Sequence, residues 1–245
     1  VRRAVVFTGY RRVEYFRQSL ASWSQARGQD GWDFFFHLEP SARLDQMKEA
    51  ISDFFPRSRT TVNPRRLGVL ENPYRALNSA FSAGYEFAVL AEDDIVVSDD
   101  VLEFFEWALP LHRTYPRTLV VNAWSDHVDP GDDPGFASRV MFGGRFSPLV
   151  WGTWKSRWDS YIEPTWDHDY STGTPDGHQA GWDWNLNRVI EKNEFLVARC
   201  QLSRSDHIGE FGGTHMLPAN FSASQSPSFN PHVPSGPFYL VAPDA

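Results

Sequence analysis

Cysteine is nearly absent: Cys200 stands alone in 245 residues, so no intrachain disulfide can form. That usage fits a reducing compartment. Long apolar runs are missing too, since no stretch approaches the ~18 residues a membrane-spanning helix needs. No signal-peptide pattern opens the sequence. Basic charge is scarce: 23 Lys and Arg face 31 Asp and Glu, a net charge of −8. Such a balance gives no general field for nucleic acid and leaves only a local basic groove open. No internal repeat is visible. Apolar content, by contrast, is ample at 41%, enough for one large domain or two small ones. Ten tryptophans suit a core, and they equally suit sugar-binding surfaces.

The first half alternates strand and helix signals. Ala4–Phe7 is a short apolar run ending in Thr8-Gly9, and Val13, Phe16, Leu20 and Trp23 then recur at helical spacing. Asp33–Leu38 reads as a second strand, followed by helical Leu44, Met47, Ile51 and Phe54. Asn72-Pro73 reads as an N-cap with proline at the first helical position. Phe87–Leu90 is a third strand, and Ser98 is expected to cap the next helix, with Asp99 and Asp100 at its positive end. This alternation predicts an α/β fold with a mostly parallel sheet and helices on both faces. Ligands in such sheets sit beyond the carboxyl ends of the strands.

The second half is less regular. Leu119–Ala123 reads as a strand, 126–135 as an acidic loop, 154–162 as a helix, 165–181 as a long loop, 182–192 as a helix and Phe195–Ala198 as a strand. The tail after Met216 holds six prolines and cannot be a regular helix; it is expected to be a strap or partly disordered. The expected division is 1–125, 126–216 and a tail at 217–245, the first two being halves of one domain.

Glu92, Asp93 and Asp94 stand in a row where the third strand leaves the core. Adjacent carboxylates repel, and burying them is costly unless a cation or hydrogen bonds compensate. Hard oxygens in this position suit Mg²⁺ or Mn²⁺, with nucleotide phosphates and water filling the other positions. Because strand side chains alternate faces, Glu92 and Asp94 point one way and Asp93 the other. The plain alternative is an exposed acidic turn.

Five segments, taken in order, resemble the animal N-acetylglucosaminyltransferase I family and its O-mannose-linked relative, inverting glycosyltransferases of the GT-A fold. Glu92-Asp93-Asp94-Ile95-Val96-Val97, followed by Val101-Leu102-Glu103-Phe104-Phe105, is similar to the family's acidic hallmark and helix. Pro73–Phe81, Asn122–Asp126, Trp182-Asp183-Trp184 and Ser203–His215 resemble four further segments, so the likeness spans about residues 2–216.

The resemblance implies a Rossmann-like nucleotide-sugar site. Asp94 would ligate the metal, Asp93 would contact the ribose or the metal's waters, and Glu92 would support both. Arg11 would contact the nucleotide, with Arg12 as an equally placed rival, and Glu39 would face the base. Pro73 stands where the family has a base-contacting histidine, which departs from a uracil site. Asp183 would be the general base that takes the acceptor's proton, with Asp126 and Asp169 as fallbacks. Ser203 to His215 would close over the donor; Ser203 and His215 are its candidate ligand-contacting residues, and His207 has no counterpart in the family pattern. Trp124, Trp151 and Trp154 would line the cleft or pack in the core.

A compact chain without anchor or stem implies a soluble enzyme of a bacterial or viral-host cytoplasm. Its donor would be a UDP-sugar, and its acceptor a hydroxyl on a glycan, protein, lipid or modified nucleobase. A DNA acceptor would need a basic groove, for which Arg139, Arg145, Lys155 and Arg157 are the loose cluster available. Two rivals belong to other classes: a sugar nucleotidyltransferase and a non-catalytic saccharide-binding module.

Overall fold

The computed structural model describes residues 1–172, 180–212 and 218–241. Its first half alternates as the spacing predicts: β1 (Arg3–Gly9), α1 (Val13–Ser24), β2 (Trp32–Leu38), α2 (Leu44–Phe54), β3 (Arg59–Val62), α3 (Gly68–Ser82) and β4 (Phe87–Glu92). Strand β1 lies between β2 and β4, parallel to both, with Val5 level with Phe34 and Val89. It is buried on both faces, which explains its unbroken apolar run. Val5 and Phe7 meet Phe16, Leu20 and Trp23 of α1, whereas Ala4 and Val6 meet Leu77 and Phe81 of α3.

The second half holds β5 (Ile95–Val97), α4 (Val101–Ala108), α5 (Leu111–Thr114), β6 (Thr118–Asn122), β7 (Arg139–Gly143), β8 (Trp151–Trp154), α6 (Lys155–Arg157), α7 (Trp182–Lys192), β9 (Leu196–Cys200), β10 (Ser205–His207) and β11 (Tyr239–Val241). Its strands extend the same sheet, in the order β11-β7-β9-β6-β8-β4-β1-β2-β3. Strand β8 runs antiparallel to both β4 and β6, while β6 and β9 are parallel. Among the described residues the result is a nine-stranded, mostly parallel sheet flanked by helices, with β5 and β10 forming a separate antiparallel ribbon.

Four local expectations need correction. Pro73 does not open a helix: α3 starts at Gly68 and carries Pro73 inside it. The interior proline leaves the Val69 carbonyl without its helical N–H. The Trp182 indole donates to that carbonyl at 3.2 Å. Asn72 is likewise no cap; its buried side chain donates to the His37 carbonyl and accepts from Asn63. Asp100, not Ser98, stands at the N-cap position of α4, and it makes no side-chain capping hydrogen bond. Asp99 and Asp100 instead pair with Arg27 and Arg204. Trp154 ends a strand opposite Phe87, so the helical turns begin only at Lys155.

The described part of the tail is a strap. Strand β11 pairs with β7, and Phe238 packs on Phe104 and Trp107. Asp99 N–H donates to the Pro231 carbonyl at 3.0 Å, and Val233 N–H donates back to Asp99 at 2.9 Å. Beneath it Arg204, fully buried, makes a 3.0 Å ion pair with Asp100. Among the described residues no helix is long and apolar enough to cross a membrane.

Candidate functional site

From β1 the sheet grows one way through β2 and β3 and the other way through β4. This reversal opens a crevice at the carboxyl ends of the strands. Thr8, Gly9, Tyr10, Arg12, Glu39 and Asp93 line it.

Asp93 and Asp94 follow β4 directly and are both buried. The Tyr10 N–H donates to Asp93 at 3.2 Å. The Arg12 guanidinium spans both acids, at 2.5 Å from Asp93 and 2.7 Å from Asp94. Pairing of β10 with β5 sets His207 level with Ile95, which brings its Nε2 to 2.9 Å from Asp94 Oδ2. On its other side Nδ1 lies 2.7 Å from the Ser224 hydroxyl. The Ile208 N–H donates to the Asp94 carbonyl at 2.9 Å, so this segment is tied to the acids by backbone as well.

The charges are uneven. Burial, with the charges of Asp94 and Asp93 adding to it, pushes the Glu92 carboxyl up to about 8. Burial also raises Asp93, to about 6, against the pull of Arg12. Burial acts the same way on Asp94, but the His207 hydrogen bond and the Arg12 charge together outweigh it and hold that carboxyl below the usual range. Of the three, Asp94 is therefore the acid held most firmly in its charged form.

Asp94 Oδ1 is buried and, among the described residues, has no hydrogen-bond partner. An orphaned anionic oxygen among hard ligands fits a divalent cation. Among the described residues no three His, Cys, Asp or Glu side chains converge on one point. A cation bound there would be held by Asp94, with Asp93 and His207 beside it, and phosphate oxygens and water would have to fill the remaining positions.

The other expected residues are distributed as follows. Arg11 is exposed at the cleft, its guanidinium 5.3 Å from the Tyr10 ring centre, while Arg12 makes the acid contacts. Glu39 lines the same cleft, but its Oε1 accepts from the N–H groups of Leu67 and Gly68 and so fixes the start of α3. Ser203 is not brought to the cleft: it is fully buried, accepting from Ser125 N–H and hydrogen-bonded to the Ser205 carbonyl. His215 lies outside the described residues.

A second cleft of about 1020 Å³ runs along α7, lined in part by Asn122, Trp124, Asp126, Asp183, Trp184 and Asn187. Gly181 takes φ 109° as the N-cap of α7, a value that favours glycine, and this sets Asp183 in the first turn rather than at the cap. The Gly181 N–H donates to Asp167, which also accepts from the Thr172 hydroxyl. The charge of Asp183 adds, as the smallest contribution, to the upward push on Glu92. Asp126 is in the second cleft and paired with Arg199; Asp169 is exposed and bonds the Ser171 N–H. Trp124 lines the cleft, whereas Trp151 and Trp154 are core residues. The four basic residues form no groove. Arg139 pairs with Asp133 and Lys155 with Asp159, Arg157 binds backbone carbonyls, and Arg145 alone reaches the cleft.

Sequence reasoning passed over His207 and Asp167. His207 gains its place only through a strand pairing more than a hundred residues long in sequence separation. Asp167 carried one usable signal, since an Asp-x-Asp-x-Ser run favours side-chain-to-backbone turns.

No protein-family model matches the chain. Solved structures do. S. aureus TarS 1-349 superposes with a TM-score of 0.58 at 9% identity, over 86% of this chain and 61% of that one. The same protein in complex with UDP gives 0.57 at 10%, over 84% and 60%. The mannosyltransferase PcManGT from Pyrobaculum calidifontis, in complex with GDP-Man and Mn²⁺, gives 0.51 at 13%, over 82% and 57%. The chain thus spans under two thirds of the length of each. The likeness at these identities is one of fold, and it does not single out the N-acetylglucosaminyltransferase I family. The chain has the α/β fold of the GT-A glycosyltransferases.

Proposed function

We propose that this chain is a metal-dependent, inverting glycosyltransferase. It moves N-acetylglucosamine or a related hexose from a nucleoside-diphosphate donor, UDP foremost, to an acceptor hydroxyl. The observation that carries this reading is the buried Oδ1 of Asp94, without a partner among the described residues, at the switch point of a GT-A fold. A divalent cation bound there supplies Lewis-acid stabilisation of the diphosphate leaving group. Fold neighbours bound to UDP, and to GDP-Man with Mn²⁺, support the donor class.

Residues 1–125 form the donor half and 126–216 the acceptor half. Asp93 faces the ribose or the metal's waters, Glu92 backs it, Arg11 and Arg12 flank the phosphates, and Glu39 borders the base. The cleft along α7 takes the acceptor. Asp183 accepts the proton of the acceptor hydroxyl as that oxygen attacks the anomeric carbon. A carbon–oxygen bond forms on one face of the sugar, the bond to the diphosphate breaks on the other, and the nucleoside diphosphate leaves with the electron pair. The aromatic walls and the Gly209–Gly212 segment exclude water from the activated sugar.

Thermal stability with UDP, GDP, TDP and CDP, each with Mn²⁺ and with a chelator, tests this. A ligand at a hundredfold excess over its dissociation constant stabilises by ~2.7 kcal/mol, a shift of several degrees in a domain of this size. A shift with one nucleotide, present only with metal, is expected. No shift with any of them would leave the acidic triplet a turn and remove the reading.

A further inference from the structure

We infer that Arg12 is a latch on the cation site. Without donor it serves as the counter-charge of Asp93 and Asp94, and it turns to the diphosphate when nucleotide and cation enter together. The inference rests on the donor-site reading above and adds an order of binding to it.

Three observations carry it. First, the guanidinium does not fork onto one carboxylate but bridges two, at 2.5 Å and 2.7 Å, as a cation between them would. Second, Asp94 Oδ2 is already engaged by both Arg12 and His207, while Oδ1 has no partner among the described residues. The place left for a dication is thus adjacent to a fixed positive charge, and like charges at such separations repel strongly. Third, the Arg12 side chain is 20% exposed and lines the donor cleft, so it can leave the acids without unfolding anything. Its planar fork suits phosphate oxygens as well as carboxylates. A purely structural ion pair would need no such route into the cleft.

The latch makes metal and nucleotide cooperative. Mn²⁺ alone meets Arg12 and binds weakly; a diphosphate draws Arg12 away and frees the acids. By linkage, each ligand raises the other's affinity by the same factor.

The test is equilibrium binding of Mn²⁺ alone, of UDP alone and of both together, to wild type, Arg12→Met and Arg12→Lys. Free Mn²⁺ can be followed by electron paramagnetic resonance. Arg12→Met is expected to bind Mn²⁺ alone about tenfold or more tighter than wild type, since each factor of ten answers to one modest charge interaction. The coupling between Mn²⁺ and UDP should fall by a similar factor. Arg12→Lys keeps a counter-charge, and with it the fold, yet spans only one acid, so it should rise less in the same direction. Equal Mn²⁺ affinity in wild type and both variants would overturn the latch, provided wild type still shows its metal-dependent nucleotide shift. A wild type that binds no nucleoside diphosphate at all would overturn the donor reading, and the latch with it.

Discussion

Gly209 closes on Asp94 so tightly that a β-carbon at Gly209 would collide with Oδ2 of that carboxylate. The backbone after β10 is thereby the wall against which the Asp94 carboxylate rests. The Ile208 N–H, bonded to the Asp94 carbonyl at 2.9 Å, holds that wall in place.

Gly209→Ala should therefore disable the donor site without removing a charge. One added methyl must push the Asp94 carboxylate or its backbone aside. The expected outcome is loss of the metal-dependent nucleotide shift, ~2.7 kcal/mol at a hundredfold ligand excess. Gly144→Ala is the control, because a β-carbon there meets nothing within 4 Å. A Gly209→Ala protein with an undiminished shift would mean that Asp94 is not the acid that binds.

Asp183→Asn separates catalysis from binding. The amide keeps the shape of the first turn of α7 but cannot accept the acceptor's proton. General-base loss lowers turnover by about 10²–10⁴-fold. The nucleotide shift should stay, because Asp183 lines the second cleft and not the donor cleft. Transfer at the wild-type rate would move the base assignment to Asp126, the other carboxylate of that cleft named above.

What the sequence revealed, and what it hid, follows from the range of the interactions. Strands β1 and β4 announced themselves because burial on both faces demands continuous apolar runs, and β2 did so through Phe34–Phe36 although Asp33 on its other face is exposed. The acidic triplet was legible as three adjacent charges at a strand end, but the burial of Asp93 and Asp94 was not, because an exposed acidic turn reads the same in sequence. Pro73 misled, since local chemistry places proline at a helix start. Here an indole from residue 182 offsets the missing helical bond at Val69, and nothing near Pro73 encodes that. His207 was hidden for the same reason: its role depends on the β5–β10 pairing. Arg11 and Arg12 are indistinguishable by residue type, and only the turn into α1 decides which one reaches the acids.

The Pro73–Trp182 arrangement is itself testable. Trp182→Phe keeps a ring in the stack with Trp166 but leaves the Val69 carbonyl unsatisfied. A fully buried polar group that loses its partner costs about 1–3 kcal/mol, and the half-buried Val69 carbonyl should fall at the low end of that range. Urea unfolding should show that loss. In a Pro73→Ala background the helix supplies its own N–H to Val69, so Trp182→Phe should cost less there. Equal costs in the two backgrounds would show that the stacking, and not the hydrogen bond, is what the tryptophan contributes.

His37 gives stability a defined pH dependence. It is buried in β2 with Nε2 3.0 Å from the Ser79 hydroxyl, and burial lowers its imidazole from 6.5 to about 4. The folded protein thus resists the proton that the unfolded chain accepts. Above pH 6.5 both states hold His37 neutral, and its contribution is fully present. As pH falls from 6.5 toward 4 the unfolded state protonates first, and stability drops by on the order of 3 kcal/mol. Glu92 and Asp93, whose carboxyls are raised in the fold, act in the opposite sense over part of this range, so the informative quantity is a difference. Wild type minus His37→Gln, measured by urea unfolding at each pH, should decline steadily from pH 6.5 to pH 4 and be flat above. Parallel curves across the window would mean that the ring gains a proton in the folded state as easily as in the unfolded one, and that water reaches it beneath the donor cleft.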